Sequence, residues 1–194
     1  KVGDRRRRRR AAAAVAVAAR RMLRRVIARH TFGARAYCTS MHRAYLVRAH
    51  GPPSSHAVES IPTPVPEGNE VLVSVKAAGV NFPDSLIIRG KYQFQPQFPY
   101  SPGGEFSGVV DAVGPDVSAF ATGDRVVGMS IHGSYSEKLI TDESKLVIMP
   151  QSMDFATGAV VQLAHGTMLY ALKDVAKLER GETLLVLGAG GGVG

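Results

Sequence analysis

The chain has 194 residues, of which 24 are Lys or Arg and 16 are Asp or Glu, giving a formal net charge of +8 at pH 7. Fifteen of the basic residues precede Gly51, and from Gly51 onward nine basic residues face fifteen acidic ones. A nucleic-acid-binding domain would carry its basic patch on the folded body, so we expect no nucleic-acid partner. No stretch approaches the ~18 to 20 apolar residues that span a bilayer, so we expect no membrane insertion.

The first 40 residues are rich in Arg and Ala and contain a single acidic residue, Asp4. Residues 22–30 can form a basic amphipathic helix, and Arg35 lies three residues before Cys38, as in a matrix-protease cleavage site. We therefore predict a disordered leader over residues 1–40 that acts as a mitochondrial transit peptide.

A secretory signal is the competing interpretation, because six Arg followed by an Ala-rich run imitate its charged and apolar regions. Four further Arg then follow without another apolar run, which favours the mitochondrial matrix. Translation from Met41 would instead leave the protein in the cytoplasm. Since the chain begins with Lys1 and ends in a glycine loop, we expect it to be incomplete at both ends.

Residues 41–153 show short alternating apolar patterns separated by Gly and Pro turns, which predict an antiparallel β-barrel or sandwich-like domain. The predicted strands cover residues 44–48, 71–77, 106–113, 125–129, 135–140 and 146–149. One short helix is expected between the second and third of these strands. Pro83 stands near its start and Gly90 at its end, with Leu86 and Ile87 available to pack inward.

The pattern changes after residue 153. Apolar residues recur at helical intervals between Ala159 and Leu178, which predicts one long helix. Residues 183–187 form a continuous apolar run typical of a buried parallel strand. The residues that follow it predict a phosphate-binding loop, because glycines permit a tight turn and a close approach to a pyrophosphate. They are Gly188, Ala189, Gly190, Gly191, Gly192, Val193 and Gly194.

The alternative interpretation of the glycine segment is a frayed tail without a binding role. The preceding apolar run favours the start of a Rossmann domain instead. A P-loop is not expected, because no Gly-Lys-Ser/Thr is present.

Six segments carry a resemblance to a known family, and they occur in order along the chain. They are NFPD (81–84), RGKY (89–92), FPYSPGGEFSGVVDAVG (98–114), GDRVVG (123–128), GSYSE (133–137) and GAGGGVG (188–194). Together they resemble the medium-chain dehydrogenase/reductase superfamily, and within it the zinc-independent quinone oxidoreductases, which include zeta-crystallin. The resemblance implies a GroES-like β-barrel domain over residues 41–153, followed by a truncated Rossmann domain that begins over residues 154–194.

The zinc alcohol dehydrogenases of the same superfamily need Cys and His ligands at defined places. The only cysteine here is Cys38, in the leader, and the six histidines are scattered. Asn81 stands where those relatives carry the first catalytic ligand, and Gly104 with Glu105 occupies the place of a His-Glu pair. We therefore expect no zinc.

Site residues follow from the resemblance. Asn81 and Tyr92 are expected to face the nicotinamide and substrate cleft, where Asn81 holds the cofactor and the Tyr92 hydroxyl contacts a substrate carbonyl. Thr167 and residues 188–194 are expected to bind the cofactor. Tyr92 could instead be an ordinary loop aromatic, and Thr167 a helix residue that bonds its own backbone. Asp84 and Glu105 are interpreted as mainly structural.

The resemblance implies an enzyme that transfers a hydride from NADPH to a quinone or an α,β-unsaturated carbonyl compound. The residue that reads the ribose 2′ position would lie about 20 residues past the loop, so NADPH rests on the resemblance. The full-length protein is expected to be a homodimer. Alternatives are a mitochondrial enoyl-thioester reductase and, for the 194-residue chain, a non-catalytic crystallin-like binding protein. We expect this chain alone to be inactive.

Overall fold

The structure is a computed structural model that describes residues 37–194, with side chains from residue 40 onward. Residues 1–36 of the leader expected over residues 1–40, with the expected amphipathic helix, lie outside the described residues. Strand β1 (Tyr37–Leu46) includes the last four residues of the expected leader and the predicted cleavage site before Cys38. It pairs with β2 (Ala57–Pro64) in an antiparallel two-stranded sheet.

A second sheet has five strands. In chain order they are β3 (Glu70–Gly79), β4 (Glu105–Val113), β5 (Arg125–Met129), β6 (Lys138–Asp142) and β7 (Leu146–Ile148). They lie in the order β6-β3-β4-β5-β7, with every pair of neighbours antiparallel. The alternating apolar pattern predicted all five, so the expected antiparallel β domain is confirmed.

β6 begins three residues later than predicted, and the residues before it form hydrogen bonds with β1. The backbone N–H of Tyr45 donates to the carbonyl oxygen of Tyr135 at 2.9 Å, and that of Glu137 donates to the carbonyl oxygen of Arg43 at 2.8 Å. These bonds join the two sheets at one edge.

β2 was not predicted as a strand, since it contains two prolines. Pro62 pairs with Met41, and Pro64 pairs with Tyr37. Proline has no N–H to donate and is tolerated mainly in edge strands. β2 pairs only with β1 among the described strands, so its position explains why the sequence accepts the two prolines.

The larger core cluster lies on one face of the five-stranded sheet. Its buried members are Val71, Val73, Phe106, Val110, Val126, Leu139 and Leu146. They come from β3 to β7, where alternate residues face the same side of a sheet. A second cluster joins Val47, Ile87, Ile88 and Tyr100 and has Tyr92 packed against it.

The predicted short helix is confirmed as α1 (Phe82–Ile87), with Asn81 as its N-cap residue and Pro83 in its first turn. After β7 the chain is helical in four pieces, of which the last three adjoin one another without a gap. They are α2 (Phe155–Gly158), a π-helix (Val161–His165), α3 (Gly166–Leu169) and a second π-helix (Tyr170–Val175). Two 3-10 turns, Pro53–Ser55 and Glu143–Lys145, complete the helical elements described.

The predicted long helix is thus confirmed over residues 161–175, where three helical pieces adjoin one another, and it is interrupted near its start. Val160 interrupts it with φ −125° and ψ 2°, and Leu169 and Val175 are more than half exposed. Helices gain most of their stability from packing of an apolar face, and much of this face has no packing partner among residues 40–194.

The strand predicted over residues 183–187 is not formed in the structure. Leu185 and Leu187 are at least four-fifths exposed, and no described strand pairs with this segment. A strand requires a neighbour for its backbone N–H and C=O groups, which explains the difference. Among the helices of residues 37–194, none has the length and apolar character needed to cross a membrane.

Candidate active site

A cavity of about 290 Å³ opens between α1, the loop after it, the end of β5 and the first π-helix. Its lining residues are Asn81, Pro83, Asp84, Ile87, Tyr92, Phe94, Gly104, Met129, Ser130, Ile131 and Leu163. The structure therefore brings together Asn81 and Tyr92, the two residues that the sequence analysis placed at the reaction centre. An apolar cavity with a few polar groups is the usual form of a small-molecule site.

Asn81 is held at the mouth of α1 by a capping interaction. Its backbone N–H donates to Oδ2 of Asp84 at 2.8 Å, and the backbone N–H of Asp84 donates to the carbonyl oxygen of Asn81 at 3.1 Å. Reciprocal bonds of this kind satisfy groups that a helix start leaves without partners. The Asn81 backbone is consequently fixed where the residue lines the cavity.

Asp84 is buried and accepts a second hydrogen bond from outside its helix. The hydroxyl of Tyr135 donates to its Oδ2 at 2.8 Å. Burial, followed by this bond and the charge of Asp84, raises the pKa of Tyr135 well above its usual value, so the hydroxyl stays protonated and donates. The interpretation of Asp84 as a structural residue agrees with these contacts.

Glu105, at the start of β4, is the most buried acidic residue near the cavity, with 2% of its surface exposed. Its Oε1 accepts hydrogen bonds from the backbone N–H groups of Gln162 and Leu163, at 2.7 and 2.8 Å. Its Oε2 receives a longer contact of 3.4 Å from Nδ2 of Asn81. Glu105 therefore connects a predicted site residue to the helical region.

Tyr92 is placed by the turn that follows α1. Gly90 adopts φ +68°, which brings the chain back over the helix, and the ring of Tyr92 packs partly buried against the cluster that contains Ile87. Its carbonyl oxygen accepts a hydrogen bond from Nε2 of Gln95 at 2.6 Å. Within the described residues the Tyr92 hydroxyl has no hydrogen-bond partner, so it is available to a ligand.

The other expected cofactor residues do not line this cavity. Thr167 lies in α3 and is exposed. Gly188 adopts φ +77° and its carbonyl oxygen accepts from the N–H of Gly191 at 2.9 Å, so the predicted glycine loop does form a tight turn. Its residues, 188–194, are all exposed. Their role in cofactor binding stays a prediction.

Four apolar wall residues were not singled out by the sequence analysis. They are Phe94, Met129, Ile131 and Leu163. Met129 is the last residue of β5 and Ile131 follows two residues later, while Leu163 lies in a helical element whose register the sequence alone does not fix. The signal that the sequence offered for Met129 and Ile131 was a large apolar residue at or just after the end of a predicted strand. These side chains give the cavity the apolar walls that a flat ring would contact.

Aromatic and histidine side chains adjoin the cavity beyond Ile131. The rings of His132 and Tyr100 meet edge to face with centroids 5.9 Å apart. Burial lowers the pKa of His132, with a smaller contribution from Lys145, and burial raises the pKa of Tyr100. Both groups are therefore neutral near pH 7. No group of three or more His, Cys, Asp or Glu side chains in the described residues is placed to hold a metal ion.

Comparison with known proteins gives a family. Residues 67–167 match the alcohol dehydrogenase GroES-like domain. The chain is 43% identical over 125 residues to quinone oxidoreductase-like protein 2 of Rattus norvegicus, a match that covers 64% of this chain and 36% of the relative.

Two solved structures show the same fold. The quinone oxidoreductase of Pseudomonas syringae is 33% identical with a TM-score of 0.73, over 78% of this chain and 47% of that one. The Escherichia coli quinone oxidoreductase, solved in complex with NADPH, is 32% identical with a TM-score of 0.64, over 69% of this chain and 40% of that one.

The chain spans less than half the length of each of these three proteins. The expected fold class, a GroES-like β-barrel domain followed by the start of a Rossmann domain, is confirmed. The chain belongs to the alcohol dehydrogenase GroES-like domain family, and the relatives that it matches there are quinone oxidoreductases and quinone oxidoreductase-like proteins.

Proposed function

We propose that the protein is an NADPH-dependent oxidoreductase that reduces a quinone or an α,β-unsaturated carbonyl compound. The observation that supports this most directly is the cavity that Asn81 and Tyr92 line together with several apolar side chains. Relatives named quinone oxidoreductases, one of them solved with NADPH, support the same reaction class.

The residues of the cavity fit the nicotinamide end of NADPH. A nicotinamide is an apolar ring with one carboxamide, and the cavity is lined by apolar side chains and by Asn81, which carries a carboxamide of its own. The tight turn at Gly188 fits a pyrophosphate, because glycine lets the backbone approach closely. When bound, NADPH supplies the hydride that reduces the acceptor.

The protein's own contribution is to orient the reactants and stabilise developing charge. As the acceptor takes up electrons, negative charge builds on its carbonyl oxygen, and in this proposal the hydroxyl of Tyr92, a residue of the cavity lining, donates a hydrogen bond to it. The apolar side chains of Met129, Ile131 and Leu163 lower the polarity around this contact, which strengthens it.

The test is NADPH oxidation by a protein that carries the complete nucleotide-binding domain, with a quinone, an enone and a 2-enoyl-CoA as alternative acceptors. We expect turnover with the quinone or the enone and none from residues 1–194 alone. Preference for the enoyl-CoA would replace the proposal with an enoyl-thioester reductase. Failure with every acceptor, despite a folded protein, would favour a non-catalytic binding protein.

Asn81→Ala separates this site from a general loss of structure. We expect it to raise KM for NADPH about tenfold, as loss of one buried hydrogen bond would do. Asn69→Ala is the matched control, since Asn69 is exposed in the turn before β3 and is absent from the cavity. Equal effects of the two variants would contradict the assigned role of Asn81.

We further propose that the enzyme works without zinc, assembles as a homodimer and is delivered to the mitochondrial matrix by the leader. Activity that survives dialysis against a chelator supports the first proposal. Sedimentation of the longer protein as two subunits supports the second. Import into isolated mitochondria with cleavage near Cys38 supports the third. For each of the three proposals, the opposite result contradicts that proposal.

A further inference from the structure

Glu105 is a buried carboxylate without a cation. Among residues 40–194 no Lys, Arg or His lies within ion-pair distance of it, and only 2% of its surface is exposed. Its two oxygens instead accept three N–H groups from two parts of the chain, Asn81 on one side and Gln162 with Leu163 on the other. A buried charge of this kind is tolerated because several N–H donors surround it.

We infer that Glu105 is a positioning residue for the proposed reaction, which holds the carboxamide of Asn81 in place and ties it to the first π-helix. This inference rests on the proposed function for the identity of the ligand that Asn81 meets. A carboxylate accepts hydrogen bonds on both oxygens and donates none. Its presence therefore fixes which end of the Asn81 carboxamide faces it, namely the amino group.

The surroundings leave little freedom to this arrangement. A Cβ atom placed on Gly79 would lie 2.6 Å from the carbonyl oxygen of Ala159 and 3.0 Å from Oε2 of Glu105. It would also lie 3.4 Å from Nδ2 of Asn81. Only glycine at the end of β3 leaves room for the three groups to meet. The fold therefore packs α1, β3, β4 and the segment after α2 around this one carboxylate.

Glutamine at position 105 would satisfy only one side of the network. Its amide oxygen can still accept from Gln162 and Leu163, but its amino group would then face the amino group of Asn81. Either the Asn81 carboxamide flips, or the new carboxamide at position 105 flips and loses its hydrogen bonds with the backbone N–H groups of Gln162 and Leu163. The requirement is thus for a carboxylate rather than for any polar side chain of this size.

The first measurement needs no cofactor. NMR of the 194-residue chain would follow hydrogen exchange of the Gln162 and Leu163 backbone amides and the side-chain NH₂ signals of Asn81. In Glu105→Gln we expect faster exchange at the two amides or a displaced Asn81 signal. Glu59→Gln is the matched control, because Glu59 pairs with Arg48 at the surface, away from the cavity. No change at any of the three groups would overturn the inference.

A swap variant tests the chemistry and covers the possibility that the single variant folds poorly. In Asn81→Asp with Glu105→Gln, the carboxylate at 81 accepts from the new amide, whose oxygen still accepts from Gln162 and Leu163. We expect slow exchange at both amides to return. If the two amides exchange as fast in the double variant as in Glu105→Gln, the inferred pairing is wrong.

The second measurement is NADPH binding to the longer protein by fluorescence titration. Glu105→Gln should weaken binding about tenfold, the size of one hydrogen bond to a charged group. In an Asn81→Ala background it should have little further effect, because Glu105 acts through Asn81. Fully additive effects would overturn the inference. If the unsubstituted protein binds no NADPH, the proposed function fails, while the exchange data still decide the role of Glu105.

Discussion

The hydroxyl of Tyr135 donates a 2.8 Å hydrogen bond to Oδ2 of Asp84, and so joins the segment before β6 to the first turn of α1. The same oxygen accepts the backbone N–H of Asn81. Because Asp84 is only 6% exposed, water cannot easily replace either donor. The position of Asn81 in the cavity thus depends on a residue more than fifty positions along the chain.

Tyr135→Phe should lower the free energy of unfolding by about 1 to 3 kcal/mol, the cost of leaving a buried acceptor with one donor fewer. Urea unfolding followed by circular dichroism would measure this change. Tyr45→Phe is the control, since its hydroxyl donates to the carbonyl oxygen of Pro53 at the surface and water can take over. A larger cost for Tyr45→Phe than for Tyr135→Phe would contradict the assignment.

Gly103→Ala should destabilise the protein more strongly than Gly123→Ala. Both glycines have positive φ, +88° and +97°, so alanine strains the backbone at each by about 1 to 3 kcal/mol. A Cβ on Gly103 would also overlap Ser134 and the ring of Tyr135, whereas one on Gly123 meets no atom within 4 Å. Unfolding free energies of the two variants measure the difference, and equal losses would show that the overlap relaxes without cost.

The strands and α1 could be predicted from the sequence because their signals are local. Alternation of apolar residues marks β3 to β7, and Pro83 with Gly90 marks α1. β2 escaped prediction because Pro62 and Pro64 argue against a strand unless its edge position is known. Residues 183–187 carry a strand pattern, but pairing depends on partners that no local pattern supplies.

The site was predictable only in part. Asn81 and Tyr92 came from the family resemblance, and the structure places both on one cavity. The contacts of Glu105 with Gln162 and Leu163 join positions 57 and 58 residues apart, so they depend on tertiary packing that the sequence does not display. The separation explains why Glu105 could be recognised as structural without its partners being known.

Stability should fall as the pH is lowered from 7.5 to 5, and His42 should account for part of the fall. Its side chain is 5% exposed, and its Nδ1 lies 3.2 Å from Oγ1 of Thr63. Burial lowers the pKa of His42, Lys138 lowers it further, and Glu137 acts in the opposite direction. The unfolded chain therefore binds a proton near pH 6.5, while the folded chain does so only at lower pH.

The contribution of His42 to the free energy of unfolding is thus complete above the pKa that His42 has in the unfolded chain. It is lost as the pH falls through the pKa that His42 has in the folded protein. His42→Gln should flatten the dependence of unfolding free energy on pH over this range, measured by urea unfolding at pH 7.5 and 5. His132, whose pKa is also lowered by burial, should retain its own share in that variant. An unchanged slope in His42→Gln would mean that the folded protein accommodates the proton on His42.

Tyr92→Phe tests the reaction chemistry most directly, because it removes only the hydroxyl and leaves the ring packed against the cluster around Ile87. The free energy of unfolding should change by less than about 0.5 kcal/mol, as for a surface substitution. The value of kcat with a quinone should fall about 100-fold, the usual effect of removing one donor to a developing oxyanion. KM for NADPH should stay unchanged, since the hydroxyl serves the acceptor. Tyr170→Phe, on a ring that is 63% exposed, is the matched control. If kcat is the same in both variants, solvent supplies the proton and Tyr92 is a packing residue of the loop.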